Sequence, residues 1–322
     1  MIVDVLIFVI GLVALGWSAD KFVYGASALA GNVGISPMVI GMTIVAMGSS
    51  APEIMVSIAA SFGGSPNTGV GNAIGSNITN IALVLGITVL VKPMIIASST
   101  VKREMPLMLI AIVVGIYFLN DHVLSRNEGI ILMALFFVAI FLLYWLSVKA
   151  DKRDCLEKEI SQELAQDVST SSAVMWIVVG LIMLPLSAHL MVESATVIAH
   201  YFGMSDLVIG LTIIAIGTSL PELAASVASI RKGEDDMALG NIIGSNIFNI
   251  LAVLAMPGLI APGVIDGNAA GRDSAWMLGL SLLLMLFSFN FKGKRGISRW
   301  QGVLLIALFL LYQVHLYISS VQ

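Results

Sequence analysis

GMTIVAMGSSAPEIMVS begins at Gly41 and GNAIGSNITNIALVLG ends at Gly86; at Gly210 the chain starts the same block again as GLTIIAIGTSLPELAAS and closes it with GNIIGSNIFNILAVLA at Ala255. The copies align without a gap at an offset of about 169 positions, with roughly 22 of 46 residues identical, which chance does not produce even in an apolar chain. Each copy sets a glutamate, Glu53 or Glu222, directly after a proline, Pro52 or Pro221, in an otherwise uncharged apolar run. An ionised carboxylate there is expensive unless something neutralises it. Each copy then supplies a polar stripe: Asn72, Ser76 and Asn80 recur as Asn241, Ser245 and Asn249, spaced i, i+4, i+8 so that they share one helix face. The block reads as half of a polar site, present twice.

The surrounding chain is 58% hydrophobic and 11% charged with a mean hydropathy of +0.99, the composition of an integral membrane protein. A net charge of −4 argues against nucleic acid, and the single Cys155 allows no intramolecular disulfide. Met1 to Leu15 is apolar but has Asp4 where a signal peptide carries basic residues, so a retained first span is expected.

Apolar stretches of membrane-spanning length fall near residues 2–30, 36–62, 70–91, 105–120, 128–148, 173–199, 207–230, 238–261, 274–291 and 300–319. Lys92, Lys102 and Arg103 follow the third span, Lys149, Lys152, Arg153 and Lys158 the fifth, Arg231 and Lys232 the seventh, and Lys292, Lys294, Arg295 and Arg299 the ninth. Only Arg126 and Arg272 lie in loops after even-numbered spans. By the positive-inside rule the odd loops are cytoplasmic and both termini lie outside. Equivalent spans of the two copies are five apart, an odd number, so the second copy enters the membrane in the opposite direction. The predicted architecture is all-α, ten transmembrane helices as two inverted five-helix repeats, 1–148 and 173–322, joined by a hydrophilic cytoplasmic linker at 149–172 that is too short to be a domain. Such a layout, with broken helices meeting near the midplane, is typical of secondary transporters.

Proline has no N–H, so Pro52 and Pro221 free the carbonyls of Gly48 and Gly217, and in lipid a freed carbonyl must find another partner. The glycines at 41, 48, 210 and 217 loosen the same turns. Ser49, Ser50, Thr218 and Ser219 add hydroxyls within a turn of the glutamates. The inventory is two carboxylates with hydroxyl, amide and carbonyl oxygens, and neither Cys nor His. An oxygen-only set suits Ca²⁺ or Na⁺ and argues against zinc, copper or iron.

At these residues the chain resembles the calcium/cation antiporter superfamily, nearest to the prokaryotic sodium/calcium exchangers: the paired G-(ST)-S-x-P-E and GN-x-x-GSN-x-x-N blocks look like its two alpha repeats, here 41–86 and 210–255. The resemblance covers nearly the whole chain and implies exchange of Na⁺ for Ca²⁺ by alternating access across a bacterial inner membrane. It implies no cofactor and no obligate protein partner, only the two ions and the bilayer. Carried over by position, Glu53 and Glu222 would be the central ligands shared by Ca²⁺ and Na⁺. Ser49, Ser50, Thr218 and Ser219 would coordinate through hydroxyl or backbone oxygen, Ser76 and Ser245 would line flanking Na⁺ positions, Ala46 and Ala215 would offer carbonyls, and Asn80 and Asn249 would close the centre. Some relatives, including the potassium-dependent branch, carry Asp where this chain has Asn249, which makes K⁺ co-transport unexpected. The linker leaves no room for the regulatory domains of animal exchangers.

Three other functions compete. A Ca²⁺/H⁺ antiporter would load protons on the same glutamates, an intramembrane enzyme would use them as acid and base, and a passive channel would need no counter-ion. Asn72 and Asn241 are expected to join helices rather than bind ions, His189 and Glu193 to form a structural i, i+4 pair or a wall of the pathway, and Asp20 and Lys21 to mark a bend or an aqueous margin.

Overall fold

The computed structural model describes residues 2–150, 168–203, 215–289 and 296–321. Most of the linker, with Cys155, and the start of the seventh span, with Gly210, lie outside the described residues. An unbroken apolar run gives α1, Ile2–Val33. Its helical hydrogen bonding is unbroken through Asp20 and Lys21, and Asp20, half exposed, meets Lys232 through Oδ1 and Nζ at 2.6 Å. The next span, α2, is split where Pro52 approaches, into Pro37–Ser49 and Ala51–Phe62, which meet at 43°. It is followed by α3 (Pro66–Val91), α4 (Glu104–Leu119) and α5 (Arg126–Ala150).

The second half repeats the order. α6 covers Thr170–Tyr201, the described part of α7 is split into Ala215–Gly217 and Leu220–Arg231, and α8 (Asp235–Ile260), α9 (Ala269–Ser288) and α10 (Arg299–Val321) follow. Among the described residues, seven of these helices are long and apolar enough to cross a membrane, or eight when the bent pair counts as one span. α4, at 16 residues, rises only about 24 Å. Helices α5 and α6 run into the ends of the expected linker, to Ala150 and from Thr170.

Four two-residue strands report the relative direction of the halves. Strand β1 (Met94–Ile95) and strand β3 (Gly263–Val264) stand 169 positions apart, just after α3 and α8. Yet β1 pairs with β4 (Gly296–Ile297), between α9 and α10, whereas β3 pairs with β2 (Val123–Leu124), between α4 and α5. The same segment of the repeat therefore lies at opposite ends of the bundle. Polar contacts sort the same way. Lys92 Nζ meets Asp235 Oδ1 at 2.8 Å and Arg299 Nε donates to Leu90 O at 3.1 Å, joining loops after odd spans. At the other end Asp266 N donates to Asn67 Oδ1 at 2.9 Å and Ile265 N to His122 O at 2.9 Å, joining loops after even ones. The chain is an α-helical multi-pass membrane protein of ten spans in two inverted five-helix repeats.

Helices α3 and α8 form the centre: 72% and 89% of their apolar windows are buried, against 22–33% for the other helices that qualify as spans. The outer helices turn Leu6, Val13, Phe137, Ile182 and Leu310 outward, where lipid replaces protein as their apolar surroundings. Helices α1 and α6 pack along one another, with Gly25 against Ala173 and Gly180 against Phe22.

Candidate ion-binding site

The break in each copy is local and nearly identical. Ser50 leaves helical geometry at φ −84°, ψ 9°, and Ser219 does so at φ −90°, ψ 8°. Proline then occupies the first turn of the half-helix that follows, a position where its missing N–H costs nothing. Glu53 and Glu222 fall in that same first turn, at the end of the half-helix where unpaired N–H groups and the helix dipole favour negative charge. The sequence pointed to the carbonyls freed by proline; the fold adds the N-terminal placement of both carboxylates.

Both glutamates are completely buried and each is an electrostatic neighbour of the other. Their polar surroundings cross between copies. Ser50 Oγ, from the first copy, donates to Glu222 Oε1 at 2.7 Å, and Ser49 is a further hydroxyl beside Glu222. Thr218, from the second copy, stands beside Glu53 together with Ser76. Even so, both oxygens of Glu53 and Oε2 of Glu222 have no hydrogen-bond partner. The same holds for Ser219 Oγ, Ser245 Oγ, and both the oxygen and nitrogen of the Asn80 and Asn249 amides. Buried polar atoms are ordinarily satisfied, so a set of orphans in one molecule, repeated in both halves, fits oxygen ligands for a cation.

Asn80 and Asn249 occupy a special place on α3 and α8. Each begins a five-residue π-helical turn, Asn80–Val84 and Asn249–Val253, a local widening that is frequent at functional sites. The half-helix carrying Glu53 packs against the π-turn of Asn249, and the half-helix carrying Glu222 packs against that of Asn80. Ser76 is 3% exposed, Ser245 fully buried, and each lies four residues earlier on its central helix. The residues expected as ligands are thus carried on four elements that cross between copies. Ala46 is an exception in this conformation: its carbonyl accepts from Ser50 N at 3.0 Å and Ser49 Oγ at 3.3 Å. Its counterpart differs, because Ser219 N donates at 3.1 Å to Ile216 O rather than to Ala215.

Sequence reasoning gave no sign of the π-turns, since no residue type signals them. It placed Asn72 and Asn241 as joints between helices, and the structure shows what they join. Asn72 Nδ2 donates to Glu53 O at 3.0 Å and Asn241 Nδ2 to Glu222 O at 3.2 Å. His189 and Glu193 do pair, at 3.9 Å, on an exposed face of α6. Among the described residues no group of three or more His, Cys, Asp or Glu is arranged to hold a metal, so any cation here relies on two carboxylates and neutral oxygens.

The model of the family described as "Sodium/calcium exchanger protein" matches residues 3–145 and 172–318, which takes in both copies of the block. CaxA of Alkalimonas amylolytica is 54% identical over 319 residues, covering 99% of this chain and 100% of that one. The sodium/calcium exchanger MaX1 of Methanosarcina acetivorans is 32% identical over 354 residues, covering 98% and 99%. Among solved structures, the sodium-calcium exchanger NCX_Mj soaked with Na⁺ and Ca²⁺ superposes with a TM-score of 0.83 at 32% identity, over 100% of this chain and 99% of that one. Duplicated block, inverted halves, family model and solved relative agree, and the chain belongs to the sodium/calcium exchanger protein family.

Proposed function

We propose that this chain exchanges Na⁺ for Ca²⁺ by alternating access, with both ions using one site between Glu53 and Glu222. Its relatives are exchangers, which sets aside the intramembrane enzyme. The observation that carries the site assignment is the pair of fully buried glutamates with three of their four carboxylate oxygens unpartnered. An isolated buried carboxylate is costly and two neighbouring ones repel; a divalent cation, or sodium ions in its place, offsets that cost. Ser49, Ser50, Ser76, Thr218, Ser219, Ser245, Asn80 and Asn249 supply the neutral oxygens of a hard-cation shell. Na⁺ rather than H⁺ is favoured as the counter-ion because a proton needs one oxygen, whereas this site gathers many.

Alternating access follows from the inversion. Two halves that meet the membrane in opposite directions can exchange conformations about a fixed midplane site, opening it first to one face and then to the other. The orientation inferred from the basic loops places both termini outside, with β1 and β4 on the cytoplasmic face.

The test is uptake of ⁴⁵Ca²⁺ into proteoliposomes loaded with Na⁺ and diluted into Na⁺-free buffer, with a protonophore present. The proposal expects uptake that requires the outward Na⁺ gradient. Uptake driven only by a pH gradient, imposed with the protonophore left out, would replace Na⁺ with H⁺, and uptake with no counter-ion gradient would make the protein a channel.

A further inference from the structure

We propose that Asn241, and its repeat mate Asn72, are positioning residues of the ion site: each fixes the backbone of its glutamate, and Asn241 also takes the hydroxyl proton of Ser49 so that Ser49 turns a lone pair toward a bound cation. The inference rests on the assignment of Glu53 and Glu222 as ion ligands.

The backbone part is visible in both copies. In the first turn of a half-helix the N–H groups lack regular partners while the carbonyls bond within the helix, and each carbonyl has a second lone pair to offer. The two glutamate carbonyls each accept a further bond from a neighbouring helix, by the same residue at the same spacing: Asn72 Nδ2 to Glu53 O at 3.0 Å, Asn241 Nδ2 to Glu222 O at 3.2 Å. These bonds tie the first turn of each half-helix, and with it the carboxylate, to the central helix that carries the downstream serine and asparagine ligands.

The hydroxyl part is seen at Asn241. Its Oδ1 accepts from Ser49 Oγ at 3.1 Å, across the interface between the two copies. A serine hydroxyl has one proton to donate and two lone pairs to offer. A cation takes a lone pair and repels the proton, so a hydroxyl ligand works best where a neighbouring acceptor receives its hydrogen. Ser49 has three places to send that proton: Asn241 Oδ1 at 3.1 Å, the Ala46 carbonyl at 3.3 Å, and the Glu222 carboxylate. With a cation between the glutamates, the carboxylate oxygens turn to the ion; of the two acceptors that remain, the Ala46 carbonyl already takes Ser50 N at 3.0 Å and Asn241 Oδ1 is the nearer. Asn241 is held in place for this: its Nδ2 also lies 2.9 Å from Ser226 Oγ, and the residue is fully buried.

Close packing brings the two together. Gly41 lies against the backbone of Met237 and Asn241, and Gly240 against that of Met38; a Cβ on Gly41 would stand 2.6 Å from Met237 O, and one on Gly240 2.5 Å from Met38 O. Helix α8 therefore approaches the first half of α2 closely enough for Asn241 to reach Ser49.

The test is a double-mutant cycle on the purified full-length protein in detergent, comparing Ser49→Ala, Asn241→Ala and the pair, read as the rise in melting temperature with Ca²⁺ concentration. The proposal expects Asn241→Ala and Ser49→Ala each to weaken Ca²⁺ on the order of tenfold, and the double variant to be no weaker than the worse single one. Losses that multiply to about a hundredfold, or an Asn241→Ala protein that melts lower without Ca²⁺ yet keeps wild-type affinity, would overturn it in favour of a purely structural joint. Should Asn241→Ala not fold, Asn241→Ser, with and without Ser49→Ala, gives the same cycle. A wild-type protein that Ca²⁺ does not stabilise would instead overturn the ion site itself, which separates the two failures.

Discussion

Ser50 donates to Glu222 Oε1 at 2.7 Å across the interface between the repeats, while its mate Ser219 has no hydrogen-bond partner for its hydroxyl and Glu53 has none for either oxygen. Two copies with the same residues are thus held in different arrangements. An inverted-repeat transporter requires that difference, since its two end states exchange the roles of the halves.

The difference has a measurable consequence. In protein freed of Ca²⁺ and Na⁺, Ser50→Ala removes a buried charge-assisted bond and should destabilise the fold by ~1–2 kcal/mol. Ser219→Ala removes none and should stay within about 0.5 kcal/mol of wild type. Denaturation of the two variants side by side, without ions, reads the difference; equal losses would mean that the two hydroxyls are bonded alike.

Glu53→Gln and Glu222→Gln should each lower Ca²⁺ transport on the order of a hundredfold or more, because a charged ligand of a desolvated cation is gone. The same changes remove one of two neighbouring buried charges, so the ion-free proteins should melt no lower than wild type. Transport assays paired with melting curves check both halves of the statement. A variant that transports normally contradicts the site, and one that unfolds without ions contradicts the repulsion.

Asn249→Asp would place a titratable group where an unpartnered amide begins the π-turn of α8. Exchange by this variant should become more pH-sensitive than in the wild type, falling as the pH is lowered and the added carboxylate takes up protons. Rates measured across pH on either side of neutrality decide it. An unchanged profile would place Asn249 away from the ions.

Gly240→Ala should cost about 1–3 kcal/mol, because its Cβ meets a backbone oxygen that cannot rotate away. Gly279→Ala is the control: nothing lies within 4 Å of a Cβ there, and alanine is the better helix former. Stability measurements on both should separate them in that order.

The orientation is open to labelling. In a Cys155→Ala background, Ser65→Cys in an even loop should react with an impermeant maleimide added from outside, and Ser99→Cys in an odd loop should not. The reverse pattern would invert the protein in the membrane.

Much of this was legible in the chain. Duplication singled out Glu53 and Glu222 as candidates, and Pro52 and Pro221 announced the broken helices that the structure shows at Ser50 and Ser219. The basic loops implied the inversion that β1 and β3 display. What could not be read depends on contacts between segments far apart in sequence. The π-turns at Asn80 and Asn249 carry no residue type that announces them. Asn72 looked like any interhelical amide, and only the fold shows it bonded to the Glu53 carbonyl. Asp20 could be read only as a bend or an aqueous margin, because its partner, Lys232, lies 212 positions away. The unequal bonding of Ser50 and Ser219 is invisible to sequence by construction, because the motif is the same in both copies.

The central claim is that Ca²⁺ and Na⁺ share one site between Glu53 and Glu222, and equilibrium competition on purified protein tests it most directly. ⁴⁵Ca²⁺ bound to the wild type should be displaced fully by Na⁺, the apparent Ca²⁺ affinity falling as Na⁺ rises, and Glu53→Gln or Glu222→Gln should bind no ⁴⁵Ca²⁺ at the same concentration. Bound ⁴⁵Ca²⁺ that Na⁺ leaves in place, or that survives both substitutions, would contradict the account.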